Sequence, residues 1–119
     1  MTAPVETSLL ASSADQRKTT RQRVFLSGKV VFGETDLTVD CLIRDLSRTG
    51  AKVKLAGVLP LPPDVYLLEL KSGMAFESRI VWRRLPEIGL QFINAHKLSD
   101  AVDPRILRLK RIWIESVAR

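Results

Sequence analysis

Two short stretches hold the residue types able to do chemistry: Arg17-Lys18-Thr19-Thr20-Arg21 and Asp45-Leu46-Ser47-Arg48-Thr49-Gly50. The first sets two guanidinium groups four residues apart, just ahead of a strand-like run. A guanidinium is a rigid planar fork of donors, suited to phosphate oxygens or to the O6/N7 edge of guanine. The second places a carboxylate, a hydroxyl and a glycine within six residues, at a break between two strand-like runs. A carboxylate does the complementary job and accepts hydrogen bonds from the nitrogens of a base. Together the stretches point to a pocket for a guanine nucleotide that carries phosphate. That is a binding site rather than a catalytic one.

The elements that must position these groups are mostly strands. Val24, Leu26, Val30 and Phe32 share one parity, as on a half-buried strand, and Gly33-Glu34-Thr35-Asp36 is a turn. Leu37, Val39, Cys41 and Ile43 alternate with polar residues; after the Asp45–Gly50 break, Ala51, Val53 and Leu55 alternate with Lys52 and Lys54. Gly57 to Pro63 carries three prolines and is no central strand. Val65 to Leu70 predicts a fourth strand, and Ser72-Gly73 a tight turn into a fifth. On the fifth, Met74, Phe76, Ile80 and Trp82 share a face, which puts Trp82 at core parity with Phe32, Phe76 and Phe92. Leu85-Pro86-Glu87 turns the chain into a sixth strand, Ile88 to Ile93. Asp103 before Pro104 then opens a helix to about 117, with Ile106, Leu109, Trp113 and Val117 at helical spacing and Leu107 and Ile114 on the flank. The expected architecture is mainly β: a six-stranded antiparallel barrel over about 23–94 with a C-terminal α-helix over about 103–117. Residues 1–15, rich in Ser, Thr and Ala, are expected to be a flexible tail ahead of one domain over 16–118.

The composition narrows the function classes. A chain of 119 residues is long enough for one domain with a real core. Its net charge of +6 and pI near 10.0 favour anionic partners without naming one. The lone cysteine, Cys41, rules out an internal disulfide and a thiolate cage, and it reads as core packing. The lone histidine, His96, lacks the companions that a metal site or a triad needs, so no metal, cofactor or catalytic group is expected. The first residues lack the features of a signal peptide and no run is long enough to span a bilayer, so a cytoplasmic protein is the expectation.

On Arg17 and Arg21 as an RxxxR element, and Asp45, Ser47 and Gly50 as a D/NxSxxG element, the chain resembles the PilZ domain family of bacterial cyclic di-GMP receptors. The order of the two motifs, their places before the first strand and after the second, Trp82-Arg83 and the run Ile88–Phe92 support the resemblance. It implies that Arg17, Arg21, Asp45, Ser47 and Gly50 bind the dinucleotide. Arg17 and Arg21 would clamp phosphate or the guanine Hoogsteen edge, and Asp45 would accept from guanine N1–H and N2–H. Ser47 would add a hydroxyl, and Gly50 would permit positive φ and close approach of the turn to the ligand. Gln16, Arg23, Arg48 and Arg83 are secondary candidates. A loose arginine arm that orders on the ligand and presents a new face to a protein effector is the implied switch.

Two other readings compete. A basic small barrel that binds single-stranded nucleic acid is disfavoured, because it would want aromatics interleaved with cations, and only Phe25 adjoins the arginine run. A ligand-free scaffold of the same fold is disfavoured because both motifs are intact. The terminal helix cations Arg105, Arg108, Lys110 and Arg111 read as a solvated face that complements the helix dipole.

Overall fold

The structure is a computed structural model that describes residues 22–118. The expected N-terminal tail, together with Gln16, Arg17 and Arg21, lies outside the described residues. The alternating runs form six strands: β1 (Gln22–Phe32), β2 (Leu37–Leu46), β3 (Gly50–Leu55), β4 (Asp64–Glu69), β5 (Met74–Arg84) and β6 (Glu87–Lys97). A 3-10 turn, Leu98–Asp100, leads to helix α1 (Pro104–Val117). The strands close into a barrel in the order β1-β2-β3-β6-β5-β4, and every neighbouring pair is antiparallel. Strand β6 runs four residues past the expected Ile93, because Asn94 to Lys97 keep their backbone pairing with Glu77 to Met74 of β5. That extension has no apolar alternation to announce it.

Period-two alternation gives the sheet two apolar faces at different places. Val30, Val39, Cys41, Ile43, Val53, Leu67 and Ile88 fill the barrel interior, where Phe76 and Phe92 stack with centroids 4.1 Å apart. Val31, Leu68 and Ala75 point outwards and are covered by Leu98, Ile106 and Leu109 from the C-terminal segment. Each fully buried Leu or Ile contributes on the order of 1.5–3 kcal/mol of transfer free energy. Burial pushes the Cys41 thiol up to about 12, with the Asp40 carboxylate adding to the effect, so the thiol stays protonated and acts as a small apolar filler.

Helix α1 starts as its sequence predicts. Asp103 accepts a hydrogen bond from the Arg105 backbone N–H at 2.9 Å, and Pro104 occupies the first turn. Its grip on the barrel ends at Trp113, whose ring lies against Gly73 and whose Nε1 donates to the Leu70 carbonyl at 2.8 Å. Val117, expected on the packed face, is 51% exposed because it lies a turn beyond that anchor. The helix cations do not complement the negative helix end, since the last turn holds none. Arg105 pairs with Asp103, and the Arg108 fork takes both carboxylate oxygens of Asp36, at 2.8 and 3.1 Å. That fork ties α1 to the β1–β2 hairpin, where Asp36 holds a positive φ of 54°. No helix among the described residues is long and apolar enough to cross a membrane.

The cap carries a pH signature. The Arg105 backbone N–H, and then the Arg105 side chain, hold the exposed Asp103 carboxyl below its ordinary value of 3.8. A lowered native value means that the stabilisation is complete above 3.8 and is lost as pH falls through the native value. Asp103→Ala is therefore expected to melt below wild type at neutral pH. Thermal melts across an acid series should show the gap closing below pH 3.8.

Candidate functional site

Simple alternation would send Asp45 into the barrel, since Ile43 is fully buried and shares its parity. The structure prevents this with a register shift. Ile43 pairs with Val53, but Asp45 pairs with Lys52, so two steps along β2 match one along β3. Lys52 lies between the buried Ala51 and Val53 and faces outwards, and Asp45 turns outwards with it. A shift in β1 keeps pace: Leu26 pairs with Ile43 and Arg23 pairs with Asp45. Lys52 Nζ sits 3.2 Å from Asp45 Oδ2, with the side chains 33% and 14% exposed.

The outward row continues around the barrel. Lys52 pairs with Gly89, and Gly89 pairs with Trp82. Ile88 and Leu90 are buried on either side of Gly89, so the absent side chain of Gly89 is an outward one. Trp82 fills that space: a Cβ at position 89 would lie 2.0 Å from the indole Nε1. Trp82 is thus on the outer surface, not at the core position that its parity implied. The cause is the shift between Ile80 and Trp82 on β5. The Arg84 guanidinium lies 5.9 Å from the Trp82 ring. Phe25 is 75% exposed near the other end of the row, with the Arg44 guanidinium 5.0 Å from its ring centroid.

The turn between β2 and β3 is held by Ser47. Its hydroxyl oxygen accepts from the backbone N–H groups of Thr49 and Gly50, each at 3.2 Å, and its backbone N–H donates to the Gly50 carbonyl at 2.9 Å. Gly50 does not need positive φ; among the described residues the glycines in that region are Gly33 and Gly73. It is required for a different reason, because a Cβ at position 50 would lie 2.2 Å from the Leu90 carbonyl oxygen. The close approach that the structure shows at Gly50 is to the backbone of β6.

Asp45, Ser47 and Gly50 therefore gather at one rim of the barrel, with Arg23 on the neighbouring strand and the exposed Arg48 in the turn itself. Arg83 is not brought into the row. It is exposed but pairs with the buried Ile88, one position off the Trp82–Gly89 line. Neither Arg48 nor Arg83 makes an ion pair among the described residues. Gln22 pairs with Leu46, so β1 enters the barrel beside the Asp45–Gly50 turn. The row presents one carboxylate, cations and two aromatic rings on the outer face of the barrel. Among the described residues no cluster of three or more His, Cys, Asp or Glu could hold a metal. His96 instead pairs with Glu77, at 2.7 Å.

A PilZ domain family model matches residues 15–102, most of the chain. The chain belongs to the PilZ domain family. This is a family of cyclic di-GMP-binding receptor and adaptor domains rather than of catalysts. A search of curated proteins finds no match. The PilZ match takes in both motifs and the whole barrel and stops before α1.

Two residues of the PilZ rim escaped the sequence reading. Lys52 was legible as outward from its place between Ala51 and Val53, but its pairing with Asp45 depends on a bulge that alternation does not reveal. Trp82 was hidden by a bulge of its own. Gly50→Ala tests the packing role of the glycine: the clash is with backbone, so a loss of about 1–3 kcal/mol of stability is expected. Urea unfolding without any ligand measures it, and wild-type stability in the variant would contradict the close approach.

Proposed function

We propose that this chain is a cyclic di-GMP receptor that grips the dinucleotide between its N-terminal arginine run and the Asp45–Gly50 rim. The reading is carried by the family match over both motifs, together with the register that sets Gln22 opposite Leu46. Covalent geometry keeps the Cα of Arg21 about 3.8 Å from that of Gln22, and that of Arg17 within roughly 18 Å, whatever the conformation of the run. Both guanidiniums can therefore reach a ligand seated on Asp45. In this reading Arg17 and Arg21 clamp phosphate or the guanine Hoogsteen edge, and Asp45 accepts from guanine N1–H and N2–H. The Ser47 hydroxyl accepts from two turn N–H groups and donates to the Gly50 carbonyl, so its main work is to hold that turn in shape, and a contact with the ligand would require it to give up the bond to that carbonyl.

The row adds what the motifs alone did not supply. Trp82, held flat over Gly89, offers a purine-sized face in line with Asp45 and Lys52. Arg23 adds a cation on β1 opposite Asp45. The signal is conformational: like-charged arginines ahead of β1 repel one another until phosphates neutralise them, and the ordered run then forms a new surface for a protein effector. The location in cytoplasm follows from that role, since the messenger is an intracellular one.

Titration calorimetry with cyclic di-GMP tests the reading directly. Wild type should bind, and Arg21→Ala and Asp45→Ala should each lose about 1.5–3 kcal/mol, the worth of a charge-assisted hydrogen bond. Absence of heat with wild-type protein at saturating dinucleotide would sink the proposal. Hydrogen exchange across residues 16–23 tests the switch, and the expected outcome is protection that rises on addition of ligand. Equal exchange in both states would leave a receptor without the proposed ordering step.

The outward Trp82 and the exposed Phe25, set among Arg44, Lys52, Lys54 and Arg84, also favour a second reading, a single-strand nucleic-acid surface. Asp45 at the centre of that surface counts against it, because a carboxylate repels a phosphate backbone while it suits a guanine edge.

A further inference from the structure

Lys52 belongs to neither motif, yet it is the group in direct contact with Asp45. The contact is an ion pair at 3.2 Å, and the Asp45 side chain is only 14% exposed. A carboxylate so sheltered needs a partner, and Lys52 supplies it in the absence of ligand. A guanine edge that donates N1–H and N2–H to Asp45 would need the same carboxylate oxygens. Its arrival frees the ammonium at the moment when the phosphates of the ligand come to the same rim.

The geometry favours a move by Lys52 rather than by Asp45. Asp45 is fixed on β2, between Arg23 of β1 and Lys52 of β3. Lys52 has a flexible four-carbon stem, and its neighbour across the sheet is Gly89, which puts no side chain in the way. The Trp82 ring, lying over Gly89, walls the far side. The charge balance runs the same way. Within the row Asp45 and Lys52 cancel, so the carboxylate that reads guanine does not repel an incoming dianion.

Resting on the cyclic di-GMP reading above, we infer that Lys52 is a further ligand-contacting residue, whose ammonium passes from Asp45 to a phosphate oxygen of the dinucleotide. The step is an exchange of partners with no bond made or broken and no proton transferred. The same lysine thus serves as a counter-ion for the empty site and a phosphate donor in the filled one.

Calorimetry with cyclic di-GMP on wild type, Lys52→Gln, Lys52→Arg and Lys54→Gln separates the possibilities. Lys54 faces outwards on the same strand, two residues away, and carries the same charge. Lys52→Gln should bind about tenfold more weakly, Lys52→Arg within about threefold of wild type, and Lys54→Gln close to wild type. The affinity of wild type should also fall more steeply with added salt than that of Lys52→Gln. If Lys52→Gln binds as tightly as wild type or tighter, the lysine only blocks Asp45 and the inference fails. Equal losses in Lys52→Gln and Lys54→Gln would reduce it to a general field effect, which also overturns it. A wild-type protein that does not bind overturns the receptor reading instead. Thermal melts of the unliganded variants confirm folding, and Lys52→Met, which keeps the aliphatic stem, gives the same comparison if Lys52→Gln is unstable.

Discussion

The extra residue in β2 between Ile43 and Asp45 sets the face of the sheet on which the carboxylate stands. With an unbroken ladder, Asp45 would enter the barrel beside Ile43 and Val53, and a charge unpaired in such surroundings costs several kcal/mol. With the bulge, one strand can build core along most of its length and present a carboxylate on the outer face at its end. The matching irregularities in β1 and β5 act on the same row, since they set Arg23 opposite Asp45 and lay Trp82 over Gly89. Three small departures from the ladder thus assemble one surface. In this chain the irregular positions of the sheet, more than its regular ones, decide which polar and aromatic groups share the outer face.

The turn that follows shows how closely architecture and recognition share residues. Ser47 and Gly50 would be needed at their positions with no ligand at all, one to satisfy the turn N–H groups and the other to let β3 pass the Leu90 carbonyl. Asp45 and Lys52 are different, because an apolar pair would serve the fold as well. Part of the motif is therefore scaffold, and the sheltered ion pair is the part that the turn itself does not require.

Much of the architecture was legible because period-two alternation and turn residues are local signals. Val30, Val39, Ile43, Val53 and Leu67 face inwards as their parity requires, and Asp103-Pro104 opens the helix where its chemistry says it should. Parity failed for Trp82, since a bulge reverses the face without changing residue type. Composition failed at the end of β6, where Asn94 to Lys97 stay in the sheet through backbone pairing and the His96–Glu77 contact rather than through apolar alternation. Val117 has helical spacing but no barrel beneath it. The motif residues could be named from their types and order, whereas Lys52 is a property of register, which one strand read by itself does not contain.

The two apolar clusters lie on opposite sides of one sheet, and they share no residue. Lifting α1 would uncover Val31, Leu68 and Ala75 while leaving Val30, Ile43, Val53 and Leu67 buried within the ring. The family match likewise ends at residue 102, before the helix. The molecule therefore has two layers, a ring with its own interior and a helix fastened to its outer face by Trp113 and Arg108. Detachment of the helix would therefore cost the outer layer its burial while the inner layer keeps its own contacts, so the two layers can differ in how readily they open.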